Sequence, residues 1–281
     1  MTFTSKSIAL PTGVTLSYVE QGDPNGVPVI LLHGVTDSWR SFELVLPYLP
    51  PRIHAFALSQ RGHGDTDRPM TGYGFRDFAA DVAAFMDTLQ LHTAVVLGHS
   101  MGSGVAQRFA LAYPERLSGV VLVGSFATLP TNPVVREFWD TVVSTLRDPI
   151  EPRLVREFQQ STLARPVPAA FFETVVNESL KVPARVWRAT FTTFLQEDWA
   201  GELRKITAPT LIVWGDQDVF CPRGDQDLLV TAIADSRLRI YPNAGHAPHW
   251  EEPERFANEV ITFIAWLAAS SGRREPQSCW A

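Results

Sequence analysis

Cysteine is nearly missing from this chain: Cys221 and Cys279 are the only two in 281 residues, and Cys279 stands close to the end. So sparse a supply excludes a disulfide framework and fits a reducing compartment. Basic residues are outnumbered, with 24 Lys and Arg against 30 Asp and Glu and a formal net charge of −6. That balance argues against a nucleic-acid surface, which needs clustered cations, and gives no reason to expect attraction to anionic membranes. Long hydrophobic runs are absent too. No window approaches the ~18 uninterrupted apolar residues of a membrane span. The opening MTFTSKSIALPTGVTLSYVE lacks a basic segment followed by an apolar core, so no secretory signal is expected. A soluble cytoplasmic protein is the expectation. Finally, no Gly-x-Gly-x-x-Gly follows a first strand, which removes the dinucleotide fingerprint.

What the chain does have is a globular composition, 45% hydrophobic and 19% charged, and enough length for one large domain or two small ones. Thr15–Glu20 alternates as a strand and runs into the turn-rich QGDPNG. Short continuous apolar runs then recur: VPVILLHG at 27–34, IHAFALSQ at 53–60, TAVVLG at 93–98, LSGVVLVG at 117–124 and APTLIVWG at 208–215. Strands covered on both faces read this way. Helical patterns lie between several of them. Phe78, Val82, Phe85 and Leu89 mark one face of a helix predicted over 75–91, and a second helix, 101–112, stops before Pro114. SRLRIYPN at 236–243 predicts a last strand, and 254–267 a last amphipathic helix. Strand–helix alternation implies a mainly parallel sheet with helices on both faces.

The alternation breaks after Gly124. From 129 to 205 the pattern is helical, punctuated by Pro130, Pro133, Pro149, Pro152, Pro166, Pro168 and Pro183 and rich in aromatics such as Phe138, Phe158, Trp187, Phe191 and Phe194. The expected organisation is a core in two pieces, 1–128 and 206–270, around a helical cap at 129–205, with 271–281 as a flexible tail. A few extra surface helices would be the plainer explanation. The aromatic content favours a lid over a site, because it implies a large apolar face to bury.

The stretch VVLGHSMGSG places Ser100 between Gly98 and Gly102, after a strand and before a helix. By composition alone some Gly-x-Ser-x-Gly turns up roughly one time in ten in a chain of this length, so the context carries the weight. A serine on a sharp strand-to-helix turn exposes its hydroxyl above the sheet, and side chains two residues away on either side would collide with the neighbouring strand or helix. The helix N-terminus also favours negative charge there.

A serine hydroxyl needs a base, usually His, oriented by a carboxylate. Among seven histidines, His246 in NAGHAPHWEEPERF sits between the last strand and the last helix. His249 is its nearest rival. His33 ends a strand, where its backbone matters most; His99 should point away from the serine; His54, His92 and His63 suit structural duties. A metal set of His246, His249, Glu251 and Glu252 can be drawn on paper, with nothing else in its favour. For the acid, WGDQDVFCP offers two candidates. Asp216, next to Gly215, suits a turn former that bonds its own backbone. Asp218, further along, is better placed to reach the His246 loop.

The order Ser100, Asp218, His246, together with LLHG at 31–34, RGHGDTD at 61–67, GHSMG at 98–102, GDQDVFCP at 215–222 and the His246 segment, resembles the α/β-hydrolase superfamily over residues 10–270. The resemblance implies that fold, with a helical cap inserted between two strands. It also implies an oxyanion hole formed by the backbone N–H groups of Val35 and Met101, and no metal or organic cofactor. Gln60 stands where the family often has Asp, in a loop that looks structural. Dehalogenase-like and epoxide-hydrolase-like branches use Asp as nucleophile, so Ser100 points to the serine branch: an esterase or lactonase acting on a small hydrophobic substrate. Carbon–carbon bond hydrolases of aromatic ring-cleavage products share SMG and a Trp four residues past the His, here Trp250, but usually carry Asn where His99 stands. A hydrolase-fold ligand receptor with little turnover is the alternative from another class. Trp39, Phe126 and Phe220 are candidate pocket residues, and Cys221 has no assigned role.

Overall fold

The computed structural model describes residues 3–271. Eight strands form a single sheet: β1 (Lys6–Ala9), β2 (Thr15–Gln21), β3 (Val27–Leu32), β4 (Ile53–Ser59), β5 (Ala94–His99), β6 (Leu117–Val123), β7 (Thr210–Gly215) and β8 (Ser236–Tyr241). Their spatial order is β1-β2-β4-β3-β5-β6-β7-β8. The hairpin β1–β2 and the β2–β4 pair are antiparallel, and every pair from β4–β3 to β7–β8 is parallel.

The continuous apolar runs find their reason here. A strand's side chains alternate between faces, and both faces are covered. Ile30, Leu32, Val96, Val120 and Leu122 join one buried cluster, whereas Val29, Leu31, Val95, Val121 and Val123 join the other. The first cluster lies under α1 (Phe75–Thr88), α2 (Met101–Ala112) and α7 (Arg223–Ala232). The second lies under α9 (Pro253–Ser271), which follows the short α8 (Pro248–Glu251), and the 3₁₀ turn Trp39–Phe42.

Between β6 and β7 the chain leaves the sheet for α3 (Pro133–Thr141), α4 (Pro152–Ser161), α5 (Ala169–Leu180) and α6 (Ala184–Gln196). The prolines that break the sequence pattern mark helix starts: Pro133 and Pro152 occupy first turns, Pro168 and Pro183 the N-cap positions. Val155, Val176, Trp187 and Phe191 belong to the same buried cluster as α1 and α2, so the insertion shares the main core.

Two sequence expectations shift, and one strand was not foreseen. Helix α1 ends at Thr88 and not at residue 91, because Gln90 takes φ +56° and the Leu91 N–H turns back to Met86 O at 2.8 Å. Strand β1 carries no alternation a reader could detect, being short and largely exposed. Helix α9 reaches Ser271, four residues past the expected end, so the expected tail loses its first residue to the helix; its remainder, 272–281 with Cys279, lies outside the described residues. Among the described residues no helix is long and apolar enough to cross a membrane.

Candidate active site

Ser100 sits between the end of β5 and the start of α2 with φ +51° and ψ −117°, a left-handed conformation rare outside glycine. Its neighbours explain how the turn closes. A Cβ on Gly98 would lie 2.0 Å from Gly102 O, and one on Gly102 would lie 2.2 Å from Leu32 O. The backbone of β3, the elbow and α2 therefore touch, and only hydrogen fits at those two positions. Ser103 and Gly104 donate to Ser100 O at 2.8 and 3.2 Å. The N–H of Met101 precedes that ladder, as the first-turn donors of a helix must.

His246 and Asp218 come from the loops after β8 and β7 and meet at 2.8 Å, Nδ1 to Oδ2. The carboxylate is fixed from behind: its Oδ1 accepts the N–H groups of Phe220 and Cys221 at 2.8 and 2.9 Å. Both side chains are buried, 0% exposed for Asp218 and 6% for His246, so water competes little for their contact. The other candidate acid, Asp216, is exposed and takes the N–H of Asn243 at 2.7 Å, tying β7's loop to β8's; it caps a neighbouring turn and not its own.

Ser100, His246, Val35 and Met101 line one cavity, together with Phe126, Phe138, Phe158, Phe191, Phe194, Phe220, Cys221 and Trp250. Of the three aromatics singled out in the sequence, Phe126 and Phe220 are in that wall. Trp39 is not: it packs in the opposite core against Phe3, with Arg40 over its ring. No Lys or Arg is among the lining residues.

The loop bearing Val35 is held by side chains that sequence reading underrated. His33 Nε2 accepts the Gln60 N–H at 2.9 Å, its Nδ1 donates to Gly34 O at 2.7 Å, and Gln60 Nε2 donates to His33 O at 2.8 Å. His33 is thus a side-chain brace as well as a strand end, and Gln60 braces the same loop. His99 donates Nε2–H to His246 O at 3.1 Å and lines the same cavity as Ser100. His249 pairs with Ser41 Oγ at 3.2 Å, and His54 with Glu20 at 2.6 Å. His92 is exposed, two residues before β5. Burial holds His33 and His99 well below the usual imidazole range, His63 down to about 4 and His249 down to about 3.

The metal set drawn on paper does not assemble. Glu251 accepts the N–H groups of Ala164 and Gly245, Glu252 pairs with Arg165 at 2.9 Å, and His249 faces Ser41. The one tight group of His, Cys and acidic residues among the described residues is Asp218, Cys221 and His246. There the acid and the imidazole already bond each other, and burial pushes the Cys221 thiol up.

Four further residues, unmarked in the sequence, shape the site. Gly124 has φ +51°, and a Cβ there would lie 2.6 Å from His246 O. Thr162 O accepts the His246 N–H at 2.8 Å. Asp37 is fully buried beside the cavity, and burial raises its carboxyl to about 8. Gln159, on α4, donates to it at 3.0 Å. A glycine at a strand end is a weak local signal for the first; the other three meet only through the fold.

A sequence profile of the alpha/beta hydrolase fold matches residues 27–253. A 2-hydroxy-6-oxononadienedioate/2-hydroxy-6-oxononatrienedioate hydrolase from Burkholderia vietnamiensis is 28% identical over 265 residues, covering 90% of this chain and 92% of its own. A non-heme chloroperoxidase from Streptomyces lividans is 27% identical over 282 residues, with 92% and 99% covered. Among solved structures, an esterase from Rhodococcus sp. superposes with a TM-score of 0.83 at 27% identity, covering 95% of this chain and 100% of that one.

Proposed function

The chain belongs to the α/β-hydrolase family, and on that premise we propose that it is a serine hydrolase that cleaves a carboxylic ester or lactone through an acyl-enzyme intermediate. The observation that carries this is the buried 2.8 Å contact between His246 Nδ1 and Asp218 Oδ2, beside a cavity that Ser100 also lines. With Nδ1 committed to the carboxylate, Nε2 is the ring nitrogen left for proton transfer.

In this mechanism Ser100 Oγ attacks the ester carbonyl while His246 takes its proton. Asp218 keeps the imidazole oriented and stabilises the imidazolium. The N–H groups of Val35 and Met101 hold the oxyanion, aided by the positive end of α2. His246 then protonates the departing alcohol and later activates the water that releases the acid. No metal or organic cofactor enters these steps. The helical insertion acts as a cap whose aromatics select a hydrophobic acyl or alcohol group.

A carbon–carbon hydrolase is the second reading, favoured by the Burkholderia relative and by Trp250 in the cavity wall. A dioate substrate carries two carboxylates, which call for cations; the lining has no Lys or Arg, and that supports the ester over the dioate.

Hydrolysis of a p-nitrophenyl ester series, acetate to decanoate, tests the proposal with Ser100→Ala and Asp218→Asn beside wild type. The expected losses in kcat are about 10⁴-fold or more for each. Wild-type turnover no faster than Ser100→Ala would move the assignment to the carbon–carbon hydrolase or to a receptor.

A further inference from the structure

The insertion reaches into the turn that carries Val35. Gln159 Nε2 lies 2.8 Å from Ser179 Oγ on α5, 3.0 Å from Asp37 Oδ1 and 3.2 Å from Thr36 Oγ1. Thr36 Oγ1 and Ser179 Oγ are themselves 3.1 Å apart. All four side chains are buried, with Gln159 1% exposed and Thr36 and Ser179 fully enclosed. The turn they hold is not one the chain adopts freely. Thr36 has φ +71°, strained for a β-branched residue, and the Asp37 N–H reaches back to Gly34 O at a long 3.3 Å. Asp37's carboxyl also meets the Ser41 hydroxyl and the Gly34 N–H.

Val35 stands inside this turn, between Gly34 and Thr36, so the direction of its N–H is set by the two peptide units on either side. One amide from the insertion thus serves the acceptors that keep the turn closed. Take it away and Thr36 Oγ1, Asp37 Oδ1 and Ser179 Oγ, all on buried side chains, lose their shared donor. The left-handed Thr36 is then free to relax, and the Val35 N–H swings with it. We infer that Gln159 is a positioning residue for the reaction: it spans from the cap to the Thr36–Asp37 turn and fixes the Val35 N–H where the oxyanion forms.

The role given to Gln159 depends on Val35 being an oxyanion donor, so its test needs a readout apart from turnover. Gln159→Met keeps the side chain's length and removes both donors; Gln159→Asn keeps the amide and shortens its reach, and serves if the first variant folds poorly. Hydrogen exchange is measured at the amides of residues 35–37 and, as an internal reference, 101–104, beside kcat and KM on the preferred ester. The expected result is exchange at 35–37 at least tenfold faster with 101–104 unchanged, and kcat down by about 10- to 100-fold with KM within about twofold, short of the loss of a whole donor. Wild-type exchange at 35–37 overturns the inference. So does faster exchange at both segments, which would mark a loss of general stability. If wild type cleaves no ester, the proposed function falls while the exchange data still decide the part played by Gln159.

Discussion

His246 hangs from the insertion: its backbone N–H donates to Thr162 O, 2.8 Å away at the end of α4. Nearby, Glu251 clasps the same junction from below, accepting from Ala164 N at 2.8 Å and Gly245 N at 3.1 Å. The loop that presents the imidazole is therefore bounded by β8 on one side and by the helical insertion on the other.

Glu251→Ala should loosen that junction. It leaves the Ala164 and Gly245 N–H groups without their acceptor, a cost of about 1 kcal/mol because the junction is partly open to water, and lets the His246 loop drift. A fall in kcat of about tenfold beside a drop in unfolding midpoint is expected from kinetics and urea denaturation. Wild-type kcat would show that the loop needs no such clasp.

Gly102→Ala should be among the most damaging single substitutions. The added carbon meets Leu32 O at 2.2 Å, backbone against backbone, with no flexible side chain to yield. A loss of about 4 kcal/mol or more is expected, visible as a collapse in soluble yield or melting temperature. A variant as stable as wild type would mean that the elbow has room to shift.

Arg61 and Asp81 form a two-point contact, Nε to Oδ2 and Nη2 to Oδ1 at 2.6 Å each, with both residues buried. Asp81→Ala strands the guanidinium and should cost about 3–5 kcal/mol. The substitution touches no residue of the cavity wall, so kcat at low temperature should stay close to wild type. Equilibrium unfolding in urea gives the first quantity; a loss below about 1 kcal/mol, the range of an exposed pair, would contradict the prediction.

Acid should destabilise the fold through imidazoles kept neutral by burial. An unfolded His titrates near 6.5, whereas His63 and His249 are held down to about 4 and about 3. Their contribution is complete above pH 6.5 and drains away as pH falls toward those lower values, because only the unfolded chain takes up the protons. Asp37, raised to about 8, works in the opposite direction, strongest in acid and lost as pH climbs to 8. His249→Gln should therefore flatten the decline of melting temperature between pH 6.5 and 4. An unchanged slope would mean that His249 is not kept neutral.

Much of this is legible in the sequence. The parallel strands announced themselves because two-sided burial demands uninterrupted apolar runs, and Ser100 stood out because its turn admits only glycine at positions 98 and 102. Asp218 and His246 could be proposed as partners from their loops alone. Gln159 and Thr162 could not, since nothing local marks a helix-end glutamine or a carbonyl. Their importance comes from meeting residues 122 and 84 positions away, a relation that only folding creates. Trp39 shows the reverse: an aromatic near a functional loop whose side chain turns to the far core.

The division of the central strands between two buried clusters has an evolutionary corollary. Leu31 and Leu32 are adjacent in the chain, yet they pack with different sets of neighbours on opposite sides of the sheet. Substitutions that share no partners tend to add in their effects. The sheet thus insulates one half of the interior from the other. Substitutions on the side that holds the cavity's aromatics can accumulate while the layer beneath α9 keeps its packing intact.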